Sequence, residues 1–167
     1  EYNFYDDDMA VKNRDAVEDM DMSDACKAYM AANIELDKAM ELLLERLEEA
    51  GELDNTVIAL AGDHYPYGLS SSEISEFRGH QIDETYELYK STFILWTPGM
   101  EPETVDKLSS NMDILPTLSN MFGLEYDSRL LMGRDIFSDS EGFVVFKDKS
   151  WISERGTRDD LLEEDEE

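Results

Sequence analysis

A long stretch of the chain, residues 23–50, contains neither Gly nor Pro, the two residue types that most often interrupt a helix. Within it, apolar side chains recur three, four or seven positions apart: Tyr29, Leu36, Met40, Leu43 and Leu47. This spacing places them on one face of an α-helix. Ser23 is a suitable N-cap, and Gly51 can adopt the left-handed conformation that ends a helix. The sequence therefore predicts one long amphipathic helix.

Two short apolar runs follow the predicted helix. Residues 56–61 (TVIALA) come after an Asp-Asn turn, and residues 92–96 (TFILW) are ended by a Thr-Pro-Gly sequence. A polar loop rich in Ser and Glu separates the two runs. Continuous apolar runs of this length are typical of strands buried on both faces of a parallel sheet. We therefore expect two such strands, with helices packed on the faces of the sheet.

The remaining elements complete an α/β fold class. Residues 111–122 are expected to form a helix, with Asp113 as its N-cap and Gly123 at its end. Residues 143–146 and 150–152 are apolar and are separated by three polar residues, which predicts a short β-hairpin. The sequence thus predicts a mostly parallel sheet with flanking helices and a hairpin near the end. We expect this to be a single unit over residues 1–167.

The net charge of the chain disfavours one class of function, nucleic-acid binding. It carries 41 Asp and Glu against 14 Lys and Arg, a net charge of −27, which disfavours the phosphate backbone of a nucleic acid as a partner. Acidic residues crowd the two ends, 1–22 and 156–167, which are expected to be solvated and mobile. No apolar run approaches the roughly 20 residues that a membrane span needs. Because the chain begins with Glu1 and shows no signal peptide, we expect a piece of a longer protein.

An Asp-His pair follows the first predicted strand directly. Gly62 allows the backbone to turn, and Asp63 and His64 then offer a carboxylate oxygen and an imidazole nitrogen to one metal ion. The carboxyl ends of strands are where the functional residues of open α/β sheets collect. The alternative is structural, with Asp63 capping the next segment and His64 on the surface. The pair alone leaves both interpretations open.

Four motifs in a fixed order resemble a known family. They are VIALAGDHY (57–65), FILWTPG (93–99), NMDILPTL (111–118) with its following glycine, and MGRDIF (132–137). Their order and spacing over roughly residues 25–155 are similar to the C-terminal part of the sulfatase-fold domain of lipoteichoic acid synthases. The wider group is the alkaline phosphatase and sulfatase superfamily.

The resemblance implies a metal-dependent enzyme with a covalent intermediate. In that family an extracellular domain, anchored by N-terminal membrane helices, transfers glycerol phosphate from phosphatidylglycerol to a growing polymer. A threonine nucleophile, a glutamate and the Asp-His pair hold one manganese ion. Only the last pair maps onto this chain, as Asp63 and His64. The resemblance places the nucleophile and the glutamate in a preceding half of the domain, so no catalytic residue is expected here and the isolated chain is expected to be inactive.

Other interpretations stay open. The Asp-His and Asp-Ile-x-Pro-Thr motifs are similar in phosphoethanolamine transferases and sulfatases, so either is an alternative. A non-catalytic acidic domain that binds cations or proteins is a further alternative. His80 is expected to be a loop histidine rather than a site residue, and Tyr65 and Tyr67 to pack beneath a loop rather than line a groove. Cys26 is expected to be an ordinary helix residue, since one cysteine can form neither an internal disulfide nor a structural zinc site.

Overall fold

A computed structural model describes residues 3–4 and 8–158 of the chain. Contacts between residues group the chain into two compact units, residues 1–100 and 101–167. The sequence predicts a single unit over the same residues. Most of the C-terminal acidic end, 159–167, lies outside the described residues, as do residues 1, 2 and 5–7. The predicted mobility of both ends stays a prediction, but the prediction of a solvated N-terminal end is wrong at Ala10 and Val17, which are buried.

The first unit begins with three helices, α1 (Asp8–Lys12), α2 (Arg14–Val17) and α3 (Asp24–Glu49). The hydroxyl of Ser23 accepts a hydrogen bond from the backbone N–H of Cys26, so the predicted long helix and its N-cap are confirmed. Small residues at the start of α3 let α1 and α2 approach closely, and the shared core consists of Ala10, Val17, Ala28 and Ala31. No helix in the described part of the chain is long and apolar enough to cross a membrane.

Two strands, β1 (Ile58–Ala61) and β2 (Phe93–Trp96), form where the apolar runs predicted them. They pair antiparallel, with Ile58 opposite Trp96 and Ala61 opposite Phe93, so the prediction of a mostly parallel sheet is wrong for the described residues. The connection leaves β1 and enters β2 at the same end of the pair, whereas parallel strands need a crossover. The pair is also not buried on both faces, because Leu60 and Ile94 are exposed.

The connection between these strands contains a short helix, α4 (Ser71–Arg78). Ser70 and Glu73 form a reciprocal capping box at its start, and Gly79 ends it at φ 72°. The helix is held by a second small core made of Leu69, Ile74 and Ile82. This core fixes the chain a few residues after Asp63 and His64.

The second unit contains a 3₁₀ turn (Asn111–Asp113), helix α5 (Ile114–Met121) and three strands, β3 (Phe143–Val145), β4 (Trp151–Ser153) and β5 (Gly156–Thr157). Strands β3 and β4 pair antiparallel, which confirms the predicted hairpin, and β5 extends it to a three-stranded sheet. Asp113 occupies the predicted N-cap position of α5, but its side chain makes no capping bond to that helix. It instead accepts a bond from the backbone N–H of Ser110, which is the N-cap of the preceding 3₁₀ turn.

Candidate metal centre

Asp63 and His64 lie just beyond the carboxyl end of β1, where the sequence predicts them. Gly62 makes the step between the strand and the pair. The side chain of Asp63 is 88% exposed and that of His64 is 43% exposed. Both are therefore open to solvent and to a ligand that approaches from solvent.

The hydrogen bonding of His64 decides which of its nitrogens is available. Its Nδ1 lies 2.7 Å from the carbonyl oxygen of Tyr65. A carbonyl oxygen can only accept, so Nδ1 carries the proton of this bond. In the neutral imidazole the lone pair is then on Nε2, and this nitrogen lies 3.4 Å from Oδ1 of Asp63.

The separation of these two atoms suits a cation. A lone pair on Nε2 and a carboxylate oxygen repel each other unless a proton or a metal ion lies between them or beside both. Adjacent ligands about 2.1 Å from one metal ion are roughly 3.0 Å apart in octahedral and roughly 3.4 Å apart in tetrahedral geometry. The pair fits two positions of such a site. No group of three or more potential His, Cys, Asp or Glu ligands occurs among the described residues, so the pair fits only part of a site.

Three tyrosine rings form a chain of contacts that begins at His64. The ring of Tyr67 stacks on the imidazole of His64, with centroids 3.9 Å apart and planes inclined by 19°. Tyr65 meets Tyr67 edge to face at 5.0 Å and meets Tyr89 edge to face at 5.5 Å. The sequence predicts that Tyr65 and Tyr67 pack beneath a loop, and this is wrong for Tyr67, which is 64% exposed. The contact of Tyr65 with Tyr89 is not predicted. Nothing in the spacing of the sequence indicates that contact, because Tyr89 belongs to a 3₁₀ turn on the far side of the connecting loop.

His80 takes part in a different arrangement. Its Nδ1 lies 3.2 Å from the carbonyl oxygen of Arg78, and its Nε2 lies 3.1 Å from a carboxylate oxygen of Glu87. Glu87 also accepts a hydrogen bond from the backbone N–H of Asp83. That backbone bond, and after it the bond from His80, lower the pKa of Glu87. The contacts of His80 have the same form as those of His64, but its carboxylate partner is already held by a backbone N–H group. His80 also lies outside the four motifs, so the loop-histidine interpretation is the one we keep.

Cys26 is enclosed near the start of α3. Its thiol contacts the carbonyl oxygen of Glu73 at 3.4 Å and the carboxylate of Glu76 at 3.3 Å. Burial is the main cause that raises the pKa of this thiol, with the nearby Glu76 adding to it. A thiol that ionises less readily than usual is a weak nucleophile and a weak metal ligand. The interpretation as an ordinary helix residue is the one that this environment favours.

Comparison with known proteins identifies the family. The model of the sulfatase family matches residues 1–124. The chain is 29% identical over 139 residues to the lipoteichoic acid synthase-like protein YvgJ of Bacillus subtilis (strain 168), over 78% of this chain and 22% of that protein. It is 28% identical over 124 residues to the lipoteichoic acid synthase of Staphylococcus aureus (strain USA300), over 71% of this chain and 19% of that protein.

The chain thus spans about a fifth of the length of these curated relatives. No solved structure matches it significantly. The resemblance drawn from the four motifs is nevertheless confirmed, because the family model covers most of the chain and the relatives carry the expected name. The chain belongs to the sulfatase family.

Proposed function

We propose that this chain is part of a metal-dependent phosphoglycerol transferase, in which Asp63 and His64 supply two of the ligands of a divalent cation, Mn²⁺. The observation that carries the proposal is the position of the pair directly after β1, where His64 Nε2 lies 3.4 Å from Asp63 Oδ1 and Nδ1 is already bound to a carbonyl oxygen. A pair prepared in this way leaves one nitrogen and one anionic oxygen for the same ion.

The charge of the two ligands supports a role in phosphoryl chemistry. A carboxylate and a neutral imidazole cancel only one of the two charges of a divalent cation. When bound, such a cation lowers the pKa of a nucleophile and stabilises charge on phosphoryl oxygens in the transition state. Asp63 and His64 thereby hold positive charge in a chain whose net charge of −27 otherwise repels an anionic head group.

The proposed substrate is the glycerol phosphate head group of a phospholipid, transferred to a polymer of the cell envelope on the extracellular side of the membrane. The names of the relatives, lipoteichoic acid synthase and lipoteichoic acid synthase-like, support this choice over transfer of phosphoethanolamine or hydrolysis of a sulfate ester. In this proposal the nucleophile, the remaining metal ligands and the membrane anchor come from other parts of the whole protein.

The experiment uses the whole protein that contains this chain, assayed for Mn²⁺-dependent release of diacylglycerol from phosphatidylglycerol. Asp63→Asn and His64→Ala are each expected to lower the rate by at least about 100-fold, since an open catalytic site has no spare ligand. His80→Ala is the matched control and is expected to keep the rate within about twofold, because His80 lies outside the four motifs and its partner Glu87 is held by the backbone N–H of Asp83. Full activity of His64→Ala at limiting Mn²⁺ would refute the assignment.

A further inference from the structure

We propose that Tyr67 is a positioning residue for His64, and that its stacked ring together with the carbonyl group of Tyr65 holds the imidazole with Nε2 directed at the cation. The inference rests on the proposed metal site and adds a residue to it. Tyr67 offers no metal ligand of its own in this arrangement. It acts through the ring on which it stacks.

Two contacts restrain the imidazole in different ways. The bond from Nδ1 to the carbonyl oxygen of Tyr65 selects which nitrogen is protonated while it is formed, but a single exposed hydrogen bond allows the ring to rock out of it. The face of Tyr67, at 3.9 Å and 19°, opposes that motion because rocking would separate the two planes. Together they restrain both the tautomer and the plane of the ring.

The ring of Tyr67 is itself supported. It meets the ring of Tyr65 at 89°, and Tyr65 meets Tyr89 at 88° on the 3₁₀ turn Glu87–Tyr89. Pro66 separates the two tyrosines and restricts the backbone between them. Its carbonyl oxygen accepts a bond from the backbone N–H of Leu69, a residue of the second core. A chain of contacts therefore connects the exposed ring of Tyr67 to Leu69, a buried residue.

The exposure of the Tyr67 side chain indicates a role other than packing in a core. It is 64% exposed, so it removes little apolar surface from water and contributes little to the stability of the fold. Yet its ring lies nearly parallel to that of a candidate ligand. Hydrogen-bonding partners that orient a metal-bound histidine change metal affinity by roughly 10- to 100-fold when they are removed. For a stacked ring, which restrains only the plane, we take the lower end of that range.

The test compares Tyr67→Leu, which removes the stacked ring, with Tyr67→Phe, which keeps it. Tyr126→Leu is the matched control, because it removes a tyrosine of the second unit that bonds to Asn120. In the metal-free chain, above the ordinary pKa of histidine, the nitrogen chemical shifts of His64 report its tautomer and its ring protons report the stack. Mn²⁺ affinity is then measured from the electron paramagnetic resonance of the free ion.

We expect the unaltered chain, Tyr67→Phe and Tyr126→Leu to show one tautomer, protonated on Nδ1, with ring protons shifted upfield by the stacked ring. Tyr67→Leu is expected to lose the upfield shift, to show averaged nitrogen shifts and to bind Mn²⁺ roughly tenfold more weakly. Unchanged nitrogen shifts and unchanged affinity in Tyr67→Leu would overturn the inference. If His64→Ala leaves Mn²⁺ affinity unchanged, the metal site itself is refuted, while the nitrogen shifts still decide whether Tyr67 positions the ring.

Discussion

The carboxylate of Asp113 accepts a 2.7 Å hydrogen bond from the backbone N–H of Arg134, and so joins two of the four motifs by which the family was identified. A second hydrogen bond joins the same two motifs, from the backbone N–H of Ile136 to the hydroxyl of Thr117. That hydroxyl also donates to the carbonyl oxygen of Asp113. The Asp-Ile-Leu-Pro-Thr motif therefore holds the loop that follows α5, and its acidic residue has a structural role.

Removal of the Asp113 side chain is expected to destabilise the second unit. Asp113 is nearly buried, and its carboxylate accepts bonds from the backbone N–H groups of Ser110 and Arg134. Asp113→Ala leaves both donors without this acceptor, at a cost of about 2 kcal/mol in the free energy of unfolding. Urea denaturation measures the change, and Asp106→Ala, at an exposed position, serves as the control. Equal stability of the two variants would contradict the role given to Asp113.

A methyl group at position 133 is expected to be poorly tolerated. A Cβ atom built on Gly133 would lie 1.9 Å from the carbonyl oxygen of Met112, which is backbone and cannot simply rotate away. Gly133→Ala should therefore cost about 3 kcal/mol or more, as overpacking against a fixed group does. Gly123→Ala is the comparison, since it has open space but a φ of 63°, and we expect it to cost about 1 kcal/mol. Thermal unfolding that ranks the two variants in the opposite order would refute this explanation.

The junction of α1 and α3 is expected to depend on pH through Glu35. Hydrogen bonds from Asn13 and Lys38 lower the pKa of Glu35 to about 2, from an ordinary value of 4.5. Because the folded state has the lower pKa, the stabilisation is complete above pH 4.5 and is lost as the pH falls towards 2.

The variant Glu35→Gln isolates this contribution from that of the other acidic residues. The difference in unfolding free energy between the unaltered chain and Glu35→Gln should be largest near neutral pH and should shrink below pH 4.5. Glu41→Gln, on the exposed surface of the same helix, is the matched control. A difference that stays constant from pH 6 to pH 3 would rule out a lowered pKa at Glu35.

Salt should separate two modes of Mn²⁺ binding to this chain. The net charge of −27 attracts cations diffusely, and that attraction is screened over about 8 Å at physiological ionic strength. Direct coordination by Asp63 and His64 is screened much less. Titration in low and in moderate salt is expected to leave a weak component in moderate salt that Asp63→Asn removes. A component that Asp63→Asn does not alter would assign all binding to diffuse attraction.

The sequence predicted local structure better than it predicted pairing. Ser23 and Gly51 mark the ends of α3 because caps are encoded by single residues close to the backbone groups they satisfy. The direction of β2 relative to β1 is not encoded in this way. A run such as Phe93–Trp96 is equally apolar in a parallel and in an antiparallel pair, and the position of the connecting loop decides between them.

The candidate site likewise has features that the sequence predicts and features that it does not. The order Gly62, Asp63, His64 after an apolar run places two potential ligands together, and this much follows from the sequence alone. The protonation of Nδ1 depends on where the carbonyl group of Tyr65 points, and the stacked ring of Tyr67 depends on a turn around Pro66. These are properties of three-dimensional conformation, which residue spacing does not specify.

The antiparallel pairing of β1 and β2 makes the segment between them a closed loop, whose ends are held by the pairing of Ala61 with Phe93. The entropy cost of closing such a loop rises only with the logarithm of its length, by about 0.6 kcal/mol for each doubling. Insertions in this loop that avoid Tyr65, Tyr67 and the second core are therefore thermodynamically inexpensive for the paired strands. The loop can therefore change in length without disturbing the strand pairing that places Asp63 and His64 at the end of β1.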